Sequence, residues 1–120
     1  MKYTNKEVTE MYEALALVRR SDMAFPAKIS YAIVRNLRTL GPIYEDIMGA
    51  RAEIIQQNGD VVEDHYTVHK DKMDLVNKEL KSLSEVENEV HLTKIRMRDI
   101  ESIDIPIDIM EGLYAMIDES

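Results

Sequence analysis

Two histidines and four carboxylic acids stand close together in the middle of the chain, and these residue types can hold a divalent metal ion. His65 and His69 are four residues apart, and the acids around them are Asp60, Glu63, Asp64 and Asp71. Two histidines at this spacing converge on one ion when they lie on a helix. The local sequence instead predicts a turn and a strand, in which side chains four residues apart are separated by about 13 Å. We therefore expect no metal site.

The other polar residues do not form a recognisable catalytic motif. The sequence has no glycine-rich phosphate loop and no nucleophile elbow. Its lack of cysteine excludes a thiol nucleophile, a thiolate metal site and a disulfide bond, and fits a reducing cytosol. Adjacent acids such as Glu45 and Asp46 are candidates for a general acid and base, but nothing in the pattern places them in a pocket. We expect a protein that is not an enzyme and that requires no cofactor.

Charge is divided unequally along the chain. Residues 1–52 carry eight Lys/Arg and six Asp/Glu, a balance of +2, whereas residues 53–120 carry seven and seventeen, a balance of −10; together they give the net −8. An acidic face repels nucleic acid and membrane surfaces and favours a basic protein partner reached by electrostatic steering. The predicted partner-binding residues are Glu85, Glu87, Glu89, Asp99, Glu101, Asp104 and Asp108.

Two interpretations of these carboxylates remain open. They keep the protein soluble, or they imitate the phosphate charge of nucleic acid and occupy a basic cleft of a nuclease. Binding that is insensitive to salt would instead indicate an apolar surface bearing Met97 or Met110. The one basic concentration is expected to pair with the acidic C-terminal half, and it consists of Arg19, Arg20, Lys28, Arg35 and Arg38.

Apolar residues at helical spacing predict a mainly α, single domain over residues 1–120. Thr4 and Glu7 form a capping box that opens a first helix over residues 5–20. A second, long helix follows Phe25-Pro26 and ends at Asn58-Gly59 with a left-handed cap. Gly41-Pro42 predicts a kink in this helix, the alternative being a tight turn between two shorter helices.

The second half of the chain predicts shorter elements. Residues near Tyr66 and near Leu92 are expected to pair as a minor two-stranded antiparallel β-ribbon, on either side of a third helix over residues 70–87. A short helix follows Pro106. Ile100, Ile103, Ile105 and Ile107 are expected to pack the connection onto this small helical bundle. The predicted core contains Leu15, Ile33, Leu37, Ile47, Leu80 and Leu113.

The sequence shows no signal peptide and no apolar stretch of the length that spans a bilayer, which favours a cytoplasmic protein.

The segment from Phe25 to Leu37, with its Asn36-Leu37 pair, resembles a family of small uncharacterised proteins encoded by phages and prophages of Gram-positive bacteria. The later Tyr66-Thr67-Val68 stretch, the acidic helix and the isoleucine- and leucine-rich end agree with the order of elements in that family.

The resemblance implies an origin and two functions, but no active-site residue. It implies an anti-defence inhibitor, similar to anti-CRISPR proteins, that binds the basic surface of a host nuclease or defence complex in the bacterial cytosol. The alternative is an accessory protein for virion morphogenesis, acting in head or tail assembly. Either way we expect a monomer or small homo-oligomer with no direct contact to nucleic acid or membrane.

Overall fold

The first helix begins where its capping box predicts. In this computed structural model, which describes the backbone of residues 1–62 and 65–118 and the side chains of residues 1–59 and 67–118, helix α1 is Asn5–Arg20. The hydroxyl of Thr4 accepts the Glu7 N–H at 3.2 Å, and the Glu7 carboxylate accepts the Thr4 N–H at 2.9 Å. Two donors that the helix cannot satisfy internally are thereby paired.

Helix α2 (Ala27–Gln57) runs unbroken past Gly41 and Pro42, so the single long helix is confirmed. Its 31 residues span about 46 Å, which accounts for most of the molecule's 54 Å length. The left-handed cap is wrong. Asn58 has φ −120° and donates its side-chain N–H to the carbonyl of Ile54 at 2.7 Å. Because this bond satisfies a terminal carbonyl, the helix ends without a left-handed residue.

The described residues contain three two-stranded sheets instead of the single ribbon that we predicted. The expected pairing of Tyr66 with the region of Leu92 is wrong, because the strand that contains Tyr66 pairs with the segment just before it. Closing a short loop costs less entropy than closing a long one, and this favours the local hairpin. The pairs are β1 (Lys2–Thr4) with β4 (Glu87–Glu89), antiparallel; β2 (Gly59–Val62) with β3 (His65–Val68), antiparallel; and β5 (Ile95–Arg96) with β6 (Ile117–Asp118), parallel.

Two shorter helices complete the fold. A 3₁₀ turn (Lys70–Lys72) leads into α3 (Met73–Ser84), which ends earlier than predicted because the chain turns into β4. A further 3₁₀ turn (Met97–Asp99) follows β5. Helix α4 (Ile107–Leu113) follows Pro106 as predicted and continues into another 3₁₀ turn (Tyr114–Met116). The protein is thus mainly α with a minor β part.

The core lies where α1, α2 and α4 meet, and it is joined by residues of the connecting strands. Leu15, Ile33, Ile47 and Leu113 are buried as predicted. Leu37 and Leu80 were also predicted in the core, but they are only half-buried, because they lie at the edge of the helical stripes. The remaining core residues include Val8, Val18, Ile29, Leu40, Val90, Ile95, Ile100, Ile109, Met116 and Ile117.

The isoleucines before α4 do not all pack inward. Ile100 is buried and Ile103 and Ile105 are half-buried, but Ile107 is 80% exposed, so its predicted packing onto the bundle is wrong. Helix α4 turns its buried face, with Ile109 and Leu113, toward α1, and Ile107 lies outside that face. None of the helices described, α2 included, is long and apolar enough to cross a membrane.

Candidate functional site

The C-terminal acidic segment is fixed to α2 by one asparagine. Asn36 is fully buried, its side-chain N–H donates to the carbonyl of Thr93 at 2.9 Å, and its side-chain oxygen accepts the Thr93 N–H at 2.7 Å. The same side-chain nitrogen lies 3.6 Å from the sulfur of Met116. A buried backbone segment needs such partners when no strand lies beside it. Asn36 therefore supports the fold.

The first acidic group lies at the end of α3 and on β4. We name Glu85, Glu87 and Glu89 the β4 acidic group. All three are exposed, and Glu87 and Glu89 share the outer side of the strand because alternate residues face the same way. Asn88, between them, points inward and donates to the side-chain oxygen of Asn5 at 2.8 Å. The strand is thereby held against the start of α1 with its carboxylates outward.

Glu89 differs from its two neighbours because it is already paired. The N-terminal ammonium of Met1 lies 2.6 Å from its carboxylate, and His91 lies 3.7 Å away. The hydrogen bond from the ammonium lowers the pKa of Glu89 below its usual 4.5. Glu85 and Glu87 have no ion pair with the described residues.

Asp99 is also engaged within the protein. Its carboxylate accepts the Arg96 N–H at 3.0 Å and lies 3.4 Å from the ammonium of Lys28, and its side chain is 19% exposed. The backbone hydrogen bond, with Lys28 as a further cause, lowers the pKa of Asp99 below its usual 3.8. The side chain joins the segment before α4 to the start of α2, so we assign it mainly a structural role.

The second acidic group precedes and begins α4. Glu101, Asp104 and Asp108, together named the α4 acidic group, are exposed and make no ion pair with any residue that the structure describes. The two acidic groups are not contiguous. Lys28, near the start of α2, lies beside Asp99, which precedes the α4 acidic group in sequence. Further along α2, Ile43 and Ile47 line a hollow with Val86 and Asn88, which adjoin the β4 acidic group in sequence.

At 1.5 Å per residue, these positions on α2 are roughly 25 Å apart. Asp99 lies two residues before Glu101, and Val86 lies between Glu85 and Glu87, so these members of the two groups lie near different parts of α2, further apart than the Debye length of about 8 Å at physiological salt. A partner protein of ordinary size can contact both.

An exposed apolar surface lies beside the α4 acidic group. Ile105, Ile107, Met110 and Tyr114, named the α4 apolar surface, line a shallow hollow of about 550 Å³ together with Glu111. Ile107 is 80% exposed and Tyr114 63% exposed. Of these residues, Met110 was predicted from the sequence to be a candidate for an apolar binding surface. Met97, the other predicted candidate, is 46% exposed. The spacing of Ile107, Met110 and Tyr114 is the signal that would have shown one helical face.

A smaller cleft of about 270 Å³ lies between α1, α2 and α3. Its apolar wall contains Ile47, Leu80 and Leu83. Lys6, Glu10 and Arg51 also line it, so it combines both signs of charge. Among the described residues, the polar side chains that are buried all have hydrogen-bond partners. The cleft therefore presents no buried polar group that waits for a ligand.

The basic residues of the first half pair with the acidic half at one described position, where Lys28 meets Asp99. The guanidinium of Arg35 lies 5.9 Å from the ring centre of Tyr31, within the range of a cation–π contact. Arg19, Arg20 and Arg38 are exposed and have no ion pair with the described residues.

Within the described part of the chain, no three histidine or acidic side chains come close enough to hold a metal ion. The side chain of His65, together with those of Asp60, Glu63 and Asp64, lies outside the described residues, so the expectation for that group stays a prediction. His69 and Asp71 are exposed.

Tyr44 stacks on Tyr12, with 4.3 Å between the ring centres. The pKa of Tyr44 is raised by desolvation and by its hydrogen bond to Glu13.

Compared with known proteins, the chain matches no family model, no curated protein and no solved structure.

Proposed function

We propose that this chain is a non-enzymatic binding protein whose acidic surface engages a basic surface of a partner protein. One observation carries the proposal: five of the seven predicted carboxylates, namely Glu85, Glu87, Glu101, Asp104 and Asp108, are exposed and have no ion pair with the described residues. They are held on a strand, a turn and a helix start. Carboxylates positioned in this way supply charge complementarity to a cationic surface without rearrangement.

The absence of catalysis in this proposal is supported by where the shifted pKa values occur. The shifts at Glu89 and Asp99 arise from a chain terminus and from a backbone N–H. The raised pKa of Tyr44 arises from desolvation and from its hydrogen bond to Glu13, and Tyr44 lines none of the hollows described above. Catalytic groups are instead perturbed by burial and charge inside a cleft.

The specific partner in our proposal is a host nuclease or defence complex, and the chain is a phage-encoded cytoplasmic inhibitor of the anti-CRISPR type. A nucleic-acid channel is basic along its length, so the β4 acidic group and the α4 acidic group would both find cations there. This partner is supported by charge and by the resemblance of the Phe25–Leu37 segment to phage proteins. Binding to nucleic acid or membrane is not part of the proposal, because both surfaces are anionic.

Virion assembly is the second candidate, and the α4 apolar surface is the observation that favours it. Exposed apolar side chains suit permanent contacts in a particle better than they suit reversible inhibition. This candidate predicts binding to phage structural proteins instead of to a host protein.

The experiment is a pull-down of tagged protein from host lysate, with and without phage infection, followed by association kinetics with the purified partner. The test variant carries Glu85→Lys, Glu87→Lys, Glu101→Lys and Asp104→Lys. The control carries Glu53→Lys and Glu79→Lys, two exposed acids outside the predicted set. We expect the test variant, and added salt, to slow association about tenfold or more, because steered encounters depend on charge.

The control variant should associate at nearly the wild-type rate. Binding that ignores both salt and the four reversals would overturn the acidic-surface proposal. Co-purification with virion proteins, without inhibition of a host nuclease, would support assembly.

A further inference from the structure

The α4 apolar surface has the features of a protein contact site. Ile107, Met110 and Tyr114 stand at positions i, i+3 and i+7 and line one hollow, so they form a single stripe. Ile107 and Tyr114 are among the most exposed large apolar side chains of the described residues. Exposing such side chains together is unfavourable in water, and their burial by a partner would return that free energy.

The margin of this surface is negatively charged. Glu111 lines the hollow itself, and Asp104 and Asp108 directly adjoin the lining residues Ile105 and Ile107 in sequence. All three acids are exposed, and none has an ion pair with the described residues. Among the described residues, no lysine or arginine lines this hollow, and the nearby Lys94, which lines a neighbouring hollow with Tyr114, donates its ammonium to the carbonyl of Ala115 at 2.9 Å. An occupant must therefore supply both apolar side chains and positive charge.

We propose that the α4 apolar surface is the docking site for a basic amphipathic segment of the partner protein. Its apolar side chains lie in the hollow, and its lysines or arginines face Asp104, Asp108 and Glu111. Apolar stripes flanked by charge are how amphipathic helices are recognised in grooves. This inference rests on the proposed function, since it names the chemistry by which the partner is bound.

Charge also decides against two other occupants. In a symmetric dimer the same surface meets itself, so Asp108 and Glu111 of both copies would be brought together around the apolar centre. Like charges juxtaposed at an interface repel each other and disfavour that contact. An anionic lipid surface would meet the same three carboxylates and be repelled in the same way. A cationic partner meets neither penalty.

The test uses the full chain and a fluorescein-labelled amphipathic helical peptide built from leucine and lysine, with binding measured by fluorescence anisotropy. The comparison peptide has glutamate in place of lysine. We expect the lysine peptide to bind and the glutamate peptide not to bind. Raising NaCl from about 50 to about 300 mM should weaken binding, because the Debye length shortens from about 14 to about 6 Å.

The variants separate the apolar and the charged contributions. Ile107→Ser should weaken peptide binding about tenfold, since it removes one large exposed apolar side chain. Adding Tyr114→Ser should weaken binding further, and Asp108→Lys with Glu111→Lys should weaken it independently. Tyr31→Ser is the matched control for Tyr114, because Tyr31 is 62% exposed on a different helix. Glu79→Lys is the control for charge. Both controls should bind as the wild type does.

Four outcomes would overturn the inference. The lysine peptide does not bind, or the two controls weaken binding as much as the α4 variants. Sedimentation shows a dimer that Ile107→Ser dissociates, which would make a second copy the occupant. Peptide binding is lost with Glu85→Lys and Glu87→Lys but kept with Ile107→Ser. That last result would place the contact on the β4 acidic group and leave the proposed function standing.

Discussion

Asn36 determines the path of a segment that has little regular structure of its own. Its side chain exchanges two hydrogen bonds with the backbone of Thr93, at a position 57 residues away in the sequence, and it is fully buried. Leucine, a better apolar filler, would leave the Thr93 N–H and carbonyl unpaired. The polar residue is therefore needed inside an apolar helix face.

Asn36→Ala should lower the free energy of unfolding by about 1 to 3 kcal/mol, because the partly buried N–H and carbonyl of Thr93 lose their partner. Urea unfolding followed by circular dichroism measures this. Asn77→Ala, at an exposed position of α3, is the matched control and should change stability by less than about 0.5 kcal/mol. Equal effects at the two sites would show that the Thr93 contact contributes nothing.

Asp99 makes the stability depend on pH. Its pKa is lower in the folded protein than its ordinary 3.8, so its contribution is present above the unfolded pKa and is lost as pH falls through the folded pKa. We expect Asp99→Asn to unfold more easily than wild type at pH 7. The difference should be smaller at about pH 3, because that pH lies below the ordinary pKa of 3.8 and the contribution is lost as pH falls through the lower folded pKa. Urea midpoints of both proteins at the two pH values measure it, and a difference that persists unchanged would contradict the assignment.

Helix α4 is held against α1 by a close approach at Gly112. A Cβ at this position would lie 2.5 Å from a methyl carbon of Val18 and 2.7 Å from the backbone oxygen of Ala14. Because backbone cannot yield as a flexible side chain does, the two helices would have to separate. The hydrophobic pattern predicted α4 and its buried residues, but it does not report how closely two helices approach.

Gly112→Ala should destabilise the protein by about 1 to 3 kcal/mol, as overpacking does. Gly49→Ala is a control of the same chemistry, because a Cβ there meets nothing within 4 Å and the position lies on the exposed face of α2. It should raise stability by about 0.5 to 1 kcal/mol through helix propensity. Thermal unfolding of the two variants tests both signs, and stabilisation by both would contradict the close approach.

The helices were predictable and the strand pairings were not, for a physical reason. The capping box at Thr4 and Glu7 and the proline before α2 act on their own neighbours in sequence, so the boundaries of α1 and the start of α2 follow from local pattern. Strand β4 pairs with β1, about 85 residues earlier. That pairing depends on where α1 begins and where α3 ends in space, which a local pattern cannot show.

The candidate surface was predictable only in part. The acidic residues were found from composition, but composition could not show that Asp99 is paired to Lys28 or that Glu89 is paired to the chain terminus. Ile107 was also predicted to pack onto the bundle, because it is an apolar residue between acids. Whether such a residue is buried depends on the direction of the helix face, which the sequence of so short a helix does not show. The α4 apolar surface appears only when the orientation of α4 against α1 is fixed by Gly112.

At the scale of the whole molecule, repulsion among carboxylates opposes folding. The chain carries a net −8, and its described acids after residue 52 are exposed except for Asp99 and Asp118. A compact state brings these charges closer than the unfolded chain does. Salt weakens such repulsion more than it weakens the few paired contacts, because exposed charges are screened most.

The melting temperature should therefore rise, by about 3 °C or more, when NaCl is increased from about 10 to about 300 mM, a shift that corresponds to about 1 kcal/mol for a domain of this size. The variant with Glu53→Lys and Glu79→Lys has four fewer net negative charges, since each reversal removes one negative charge and adds one positive charge. It should melt higher than wild type at low salt and respond less to added salt. A wild-type melting temperature that falls with salt would mean that ion pairs such as Lys28–Asp99 outweigh the repulsion. The acidic surface would then be a source of stability, and its charges would not be available for a partner without a loss of fold.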